Sequence, residues 1–303
     1  MDYFDLLSNN EKSKDSTRFS KLDLHDVSFS MTRHKYRGFV NCIACDGDQS
    51  FVMFTNSDDV VASHYLFSGP ASFESGSLKL WSFLSKRSTW IYDVGAFTGV
   101  FALTAAANNP NCFVMAFEPS FVTYSRLLVN ISANEFDARI APVRFGIADR
   151  EGHLELRHPA GVYALGSGES FSDRQIENPW FTESVPVVSL DYLLSNQGSM
   201  KKQLIIAQDF LGADLLKIDV EGFEDNVIRG MQKTISDFKP IAIVEILDEY
   251  RVGEIREIFG DDYAVFIIDE ATGKLKNSGG DANKLFIQKD KLHILSDYAP
   301  GFL

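Results

Sequence analysis

The sequence predicts an α/β protein built on a doubly wound, mostly parallel sheet with helices on both faces, and three observations carry that expectation. From Trp90 onward, short apolar β-prone runs alternate with stretches of helical period. The first run, Trp90 to Val94, enters a glycine turn, Asp93-Val94-Gly95-Ala96-Phe97-Thr98-Gly99, and leaves it into helix-suited Val100 to Leu103. Acids then recur at the carboxyl ends of the runs: Asp93, Glu118, Asp149, Asp219 with Glu221, and Glu245. Ligands of open parallel sheets bind outside those ends, where the strand order reverses.

The elements follow in order. Residues 1–20 are polar and aperiodic and are expected to be a flexible N-terminus. Residues 21–88 read as an N-terminal cap: a hairpin from Phe39–Ile43 and Ser50–Phe54 around Asp46-Gly47, an amphipathic stretch Val60–Phe67, a break at Ser68-Gly69-Pro70, and a helix carrying Leu78, Leu80, Trp81, Phe83 and Leu84. Residues 89–303 form the main domain. After the glycine turn come a strand Asn111–Phe117, a helix Tyr124–Ile131 and a third strand Ala141–Ala148 closed by Asp149-Arg150-Glu151-Gly152. Exposed β segments Gly152–Arg157 and Val185–Val188 flank a loop around Leu165–Ser170, followed by a helix Leu190–Leu194. Strands Leu215–Val220 and Ile241–Ile246 each precede a helix, Phe223–Met231 and Val252–Phe259, and Tyr263–Ile268 and Leu285–Gln288 supply the last strands.

Composition narrows the function. A net charge of −13 over 303 residues argues against nucleic-acid backbones and anionic membranes, which need clustered Lys and Arg. The absence of a run of about 18 apolar residues argues against membrane insertion, and Met1-Asp2-Tyr3-Phe4-Asp5 lacks the basic and apolar regions of a signal peptide, so a cytoplasmic location is expected. Three cysteines make no disulfide framework; Cys42 and Cys45 form a lone C-x-x-C, expected to be plain thiols. Nothing in the sequence sets an oligomeric state.

The glycine turn offers neither the G-x-G-x-x-G of a dinucleotide site nor the lysine of a P-loop. Asp93 would repel a pyrophosphate, whereas a cationic amino group suits it. Glu118, at the end of the next strand, stands where an acid accepts hydrogen bonds from a ribose, with Pro119 stiffening the turn. Ala148 and Asp149 would line an adenine pocket, the acid near the exocyclic amine, although Asp149 equally suits a turn. Glu74 interrupts a small and aromatic stretch and reads either as a helix N-terminal charge or as a pocket contact. Lys217, Asp219 and Glu221 alternate along a predicted central strand, where charges are costly unless they pair or reach a cleft. Asp219 would hold the ligand's ammonium or act as a base. Together with Glu224 and Glu245 these acids offer oxygen ligands to a divalent metal, but no His joins them and the spacing is not diagnostic, so no metal is predicted.

With these residues assembled, the chain resembles the class I S-adenosylmethionine-dependent methyltransferases, and more narrowly the FkbM family. The resemblance rests on Asp93-Val94-Gly95-Ala96-Phe97-Thr98-Gly99, Phe117-Glu118-Pro119, Gly146-Ile147-Ala148-Asp149, Val188-Ser189-Leu190-Asp191, and Leu216-Lys217-Ile218-Asp219-Val220-Glu221-Gly222-Phe223-Glu224, with Gly230 closing the helix. Phe97 stands where the family often has Asn. The resemblance implies a Rossmann-like, seven-stranded sheet with an antiparallel last strand, S-adenosylmethionine as cofactor (product S-adenosylhomocysteine), and O-methylation of a hydroxyl on a sugar, glycan or secondary metabolite. It implies that Asp93, Gly95 and Gly99, with Ala96, Phe97 and Thr98, frame the methionine end; that Glu118 and Pro119 meet the ribose; that Ala148 and Asp149 meet the adenine; and that Asp219 and Glu221 face methyl transfer, either one the catalytic base. A small-molecule or glycan acceptor would enter from residues 20–88 and 160–184, with Gly161–Trp180 suited to a lid. Two other classes compete: a non-catalytic scaffold on the same fold, and a nucleotide-dependent oxidoreductase.

Overall fold

In the computed structural model, which describes residues 35–45, 47–69, 72–159, 165, 169–171, 178–196 and 210–298, the alternation from Trp90 onward closes into one eight-stranded sheet. Its strands are β3 (Trp90–Val94), β4 (Phe113–Phe117), β5 (Ile140–Val143), β9 (Leu215–Ile218), β10 (Ile241–Glu245), β11 (Tyr263–Ile268), the two-residue edge β12 (Leu275–Lys276) and β13 (Asn283–Gln288). They lie in the order β12-β11-β13-β10-β9-β3-β4-β5. The pairs β3/β4, β4/β5, β3/β9 and β9/β10 are parallel, and β13 runs antiparallel to both β10 and β11. Apart from the edge piece, this is the expected seven-stranded sheet. The chain builds outward from β3 through β4 to β5, then returns to β9 on the other side, so the order reverses between β3 and β9. That is where an open sheet makes its cleft.

Successive strand residues point to opposite faces, and both faces are buried. Ile91, Val114, Leu215, Ile243 and Leu285 join one apolar cluster; Tyr92, Met115, Leu216, Val244 and Phe286 join the other. The first cluster continues into the hairpin β1 (Gly38–Cys42) and β2 (Phe51–Thr55) and into helices α1 (Val60–Ser68), α2 (Ser75–Ser85) and α3 (Val100–Asn108). Two asparagines of α4 (Phe121–Ala133) hold β2 by its backbone: Asn130 Oδ1 accepts from Phe54 N at 2.7 Å and Asn134 Oδ1 from Val52 N at 2.8 Å. The stretch expected to be amphipathic, α1, is instead buried on nearly every side, because Val61, Ala62, Tyr65, Leu66 and Phe67 all enter the core between the hairpin and the cavity described below.

The third strand departs most from expectation. Its run breaks at Arg144-Phe145: Ile140–Val143 stays in the main sheet, while Gly146–Ile147 (β6) pairs with β8 (Phe181–Val188) in a separate three-stranded sheet, β6-β8-β7, whose third member is β7 (Gly152–His158). Arg144 ion-pairs with Glu183 of β8 and lies over the Phe121 ring, and Gly146 lets Phe171 close in, since a Cβ there would meet that ring at 2.7 Å. The last helical layer, α5 (Leu190–Ser195), α6 (Glu224–Arg229), α7 (Gln232–Phe238) and α8 (Tyr250–Phe259), covers the second cluster. Gly230 follows α6 as its C-cap, and its lack of a side chain lets the Ala148 carbonyl oxygen approach, since a Cβ there would stand 1.9 Å from it. No helix among the described residues is long and apolar enough to cross a membrane. The expected flexible N-terminus, and most of the expected lid, lie outside the described residues.

Candidate active site

The turn after β3 is held to β4 by its own backbone. Gly95 N and Ala96 N both donate to the Phe117 carbonyl, at 3.0 and 2.8 Å. Gly95 takes φ +81°, and its missing Cβ lets the Asp219 carbonyl approach. Phe97 also adopts a left-handed conformation, φ +49°, and donates its N–H to Glu118 Oε2 at 2.9 Å. Asn tolerates that conformation and a Phe there costs roughly 1–2 kcal/mol, so the departure from the family's frequent Asn is a strained one. The ring is half-buried, packs on the core and lines the cavity.

One cavity gathers most of the expected residues. Its wall includes Glu74, Gly95, Ala96, Phe97, Glu118, Pro119, Asp219 and Glu221. Glu118 is only 5% exposed; Oε2 takes the Phe97 N–H and Oε1 the Ser120 N–H. Burial, then the facing Glu169, pushes its carboxyl well above the usual range, despite those two amide donors. Glu74 occupies the N-cap position of α2 in a left-handed conformation, yet makes no capping bond. Glu270 does that work, accepting from Gly76 N and Ser77 N, while Glu74 accepts from Asn283 Nδ2 at 3.2 Å. Burial lifts the Glu74 carboxyl to about 7 against the opposing pull of Lys217.

Lys217 is 1% exposed, and its Nζ donates to Asp219 Oδ2 at 2.9 Å and to Asn283 Oδ1 at 3.1 Å. Burial alone would push this ammonium down; Asp219, Glu74 and Glu245 outweigh it and hold it above its ordinary value. Glu221, at φ +51°, is lifted to about 7 by burial and then by Asp219 and Glu224. Glu245 is lifted to about 9 by burial and then by Asp219. Oxygens of Asp219, Glu221 and Glu245 lie within 4.8 Å of one another, an oxygen set open to a cation, with the Lys217 ammonium already beside Asp219.

Several expected contacts fall elsewhere. Asp93 is 1% exposed and lies behind the turn, where Oδ2 accepts from Ala102 N at 3.0 Å in the first turn of α3. A carboxylate there complements the helix N-terminus, and the cavity wall does not include it. Thr98 and Gly99 are buried behind the same turn, with Gly99 facing Leu127. Ala148 is buried with its N–H on Val188 O, and Asp149 is exposed and paired with Arg150. Neither is in the cavity wall, because the break after β5 carries both away to the turn between β6 and β7. Glu224 serves the turn, accepting from Gly222 N at 2.8 Å and from Arg251. Cys42 and Cys45 form no disulfide; Cys42 donates to the Val40 carbonyl and Cys45 to Asp48.

Glu245, expected at its strand end, also lines the cavity, whereas the other wall residues had no motif to announce them. Phe73 and Phe101 contribute apolar surface, and Leu156 of β7 forms a further side with Glu169 and Phe171, which flank the bridge from Ser170 to Arg157. Alternation marks Leu156 as a strand position, but its facing depends on the break in the third strand, and Glu169 sits in an aperiodic Gly/Ser-rich loop.

A parallel sheet with one antiparallel inner strand, and an acid-lined cavity at its reversal point, define a Rossmann-like fold of the class I methyltransferase type. Residues 93–268, more than half of the chain, match the methyltransferase FkbM domain, and the chain belongs to that family, whose members use S-adenosylmethionine. It is similar to "Methyltransferase sdnD" of Sordaria araneosa, at 26% identity over 48% of this chain and 61% of that protein, and to "Methyltransferase 1" of Beauveria bassiana, at 25% identity over 53% and 65%. The chain thus spans somewhat under two thirds of each curated relative. Among solved structures, a methyltransferase FkbM from Methylobacillus flagellatus overlaps 75% of this chain and 53% of its own, with TM-score 0.42 and 15% identity.

Proposed function

We propose that this chain is an S-adenosylmethionine-dependent methyltransferase that transfers the methyl group to a hydroxyl of a sugar, glycan or secondary metabolite. The observation that carries this reading is a concentration of acids: six carboxyl groups, Glu74, Glu118, Glu169, Asp219, Glu221 and Glu245, line one cavity, several of them raised by burial and by one another in a way a bound cation would relieve, and no Lys, Arg or His is among its described wall residues. Such a wall suits a ligand bearing a sulfonium and an ammonium, and it opposes a phosphorylated one. The residues fit the cofactor. Glu118 keeps lone pairs for a ribose diol beyond its two amide donors, Gly95 to Phe97 bring backbone against the methionine end, and Glu74 and Asp219 supply charge for the ammonium. Asp93, Thr98 and Gly99 act from behind, by shaping that turn. Bound there, the cofactor supplies an electrophilic methyl group on sulfur.

The chain's own task is then to position an acceptor oxygen and take its proton. Glu221 suits the base: it lines the cavity, its carboxyl is poised at about 7, and Asp219 beside it is held by Lys217. The ionised form of Glu221 grows as pH rises, so turnover is expected to climb between pH 6 and 8 and then level. With methyl-labelled S-adenosylmethionine and a panel of hydroxylated sugars and metabolites, Glu221→Gln should lose roughly 10²–10⁴-fold in turnover, keep cofactor affinity and lose the pH rise. Asp219→Asn should lose both turnover and affinity. If both variants bind cofactor and keep full turnover, neither carboxylate is the base.

A further inference from the structure

A connected set of side chains runs from Glu118 to a histidine outside the family motifs. Ser120 N donates to Glu118 Oε1 at 2.8 Å, Thr123 Oγ1 lies 3.2 Å from Ser120 Oγ and 3.4 Å from Glu169 Oε2, and His158 Nδ1 lies 3.0 Å from Glu169 Oε1. His158 is 4% exposed and stacks on Phe181 with ring centroids 3.9 Å apart. Two residues earlier on the same face of β7, Leu156 enters the cavity wall. Ser170 is fixed between them: it exchanges backbone hydrogen bonds with Arg157 at 2.9 and 3.2 Å, and its Oγ donates to the Glu221 carbonyl at 2.6 Å. The bridge from Ser170 to β7 therefore sets Glu169 in the cavity wall with apolar Leu156 and Phe171, beside Glu118.

We infer that Glu169, aimed by His158, is the acid that recognises the exocyclic amine of the cofactor's adenine, the part expected of Asp149. This rests on the cofactor reading above. An ionised carboxylate only accepts hydrogen bonds, so at the edge of a purine it favours a 6-amino group and opposes a 6-oxo group, acceptor against acceptor. The apolar pair beside it suits the ring face. Glu169 also raises the Glu118 carboxyl, a repulsion that a ligand donating to both would relieve. Glu169 thus reads the base and Glu118 the sugar, while His158 is a positioning residue that touches no ligand.

Calorimetric titration of the full chain with S-adenosylhomocysteine and S-inosylhomocysteine tests this. Wild type should prefer the adenosyl ligand by about tenfold or more, the effect of one hydrogen bond to a charged group. In Glu169→Ala the preference should vanish through loss of adenosyl affinity. In Glu169→Gln, whose amide both donates and accepts, the two ligands should bind nearly alike. His158→Leu should reproduce the alanine result, and His158→Asn, which keeps a donor near the Nδ1 position, should restore the preference. Unchanged preference in Glu169→Ala, or equal loss of both ligands, overturns the assignment. Wild type binding neither ligand overturns the cofactor reading along with it.

Discussion

Replacing Gly95 with alanine is expected to destabilise the protein by about 3 kcal/mol or more, read as a shift in urea midpoint, and to abolish cofactor binding in whatever remains folded. The cost has two sources. The native φ of +81° lies where only glycine is at ease, and the new Cβ would stand 1.7 Å from the Asp219 carbonyl oxygen, a backbone atom that cannot swing away. Relief requires β3 and β9 to part at the point where the sheet makes its cleft, so the turn and the Asp219 segment move together. A control isolates the geometry: Gly253 lies inside α8 with nothing within 4 Å of a built Cβ, and Gly253→Ala should stabilise by roughly 0.5–1 kcal/mol. If Gly95→Ala unfolds at the wild-type midpoint, the close approach of turn and strand is not a structural requirement.

Lys217→Met should be comparably severe, roughly 3–5 kcal/mol at neutral pH, because it removes the buried cation and leaves its carboxylate partners behind. The size of the defect should depend on pH in a definite direction. Lys217 pulls down the carboxyls of Glu74, Asp93, Glu221 and Glu245, all of which burial already raises. Removing it raises them further, so these acids hold more protons in the folded variant than in folded wild type across the neutral range. Stability of a protein whose folded form holds extra protons falls as pH rises. The deficit of the variant should therefore be small near pH 5, where these acids are protonated with or without the lysine, and grow through pH 7 to 9. A deficit that stays constant from pH 5 to pH 9 would mean that packing of the lysine stem, and not its charge, is what the fold uses.

The sheet was legible because β3, β4, β9 and β10 are buried on both faces and read as short, mainly apolar runs between turns, broken only by Asp93, Lys217 and the terminal Glu245. The acids at their ends could be placed at the cleft from the same reasoning, and Glu118, Asp219, Glu221 and Glu245 do converge there. What the sequence hid depends on contacts between distant segments. The run Ala141–Ala148 looks like one strand; the ion pair of Arg144 with Glu183 and the packing of Phe171 over Gly146 divide it between two sheets. That division removes Ala148 and Asp149 from the cleft and brings Leu156 and Glu169 to it. Asp93 shows the opposite difficulty: its position beside a glycine turn is readable, but the choice between a ligand and the Ala102 N–H is made by the direction of α3. The same holds for α1, whose outer face would meet solvent were the hairpin not packed on it.

The central claim is that the acid-lined cavity takes an adenosyl ligand through its ribose and its ammonium group, and thermal unfolding tests it most directly. S-adenosylmethionine and S-adenosylhomocysteine at about 100 times their dissociation constants should each stabilise the wild-type chain by about 2.7 kcal/mol, while NAD leaves its unfolding temperature unchanged. Glu118→Ala should lose most of that response. Stabilisation by NAD alone would point to an oxidoreductase and contradict the account, and so would a chain that responds to none of the three.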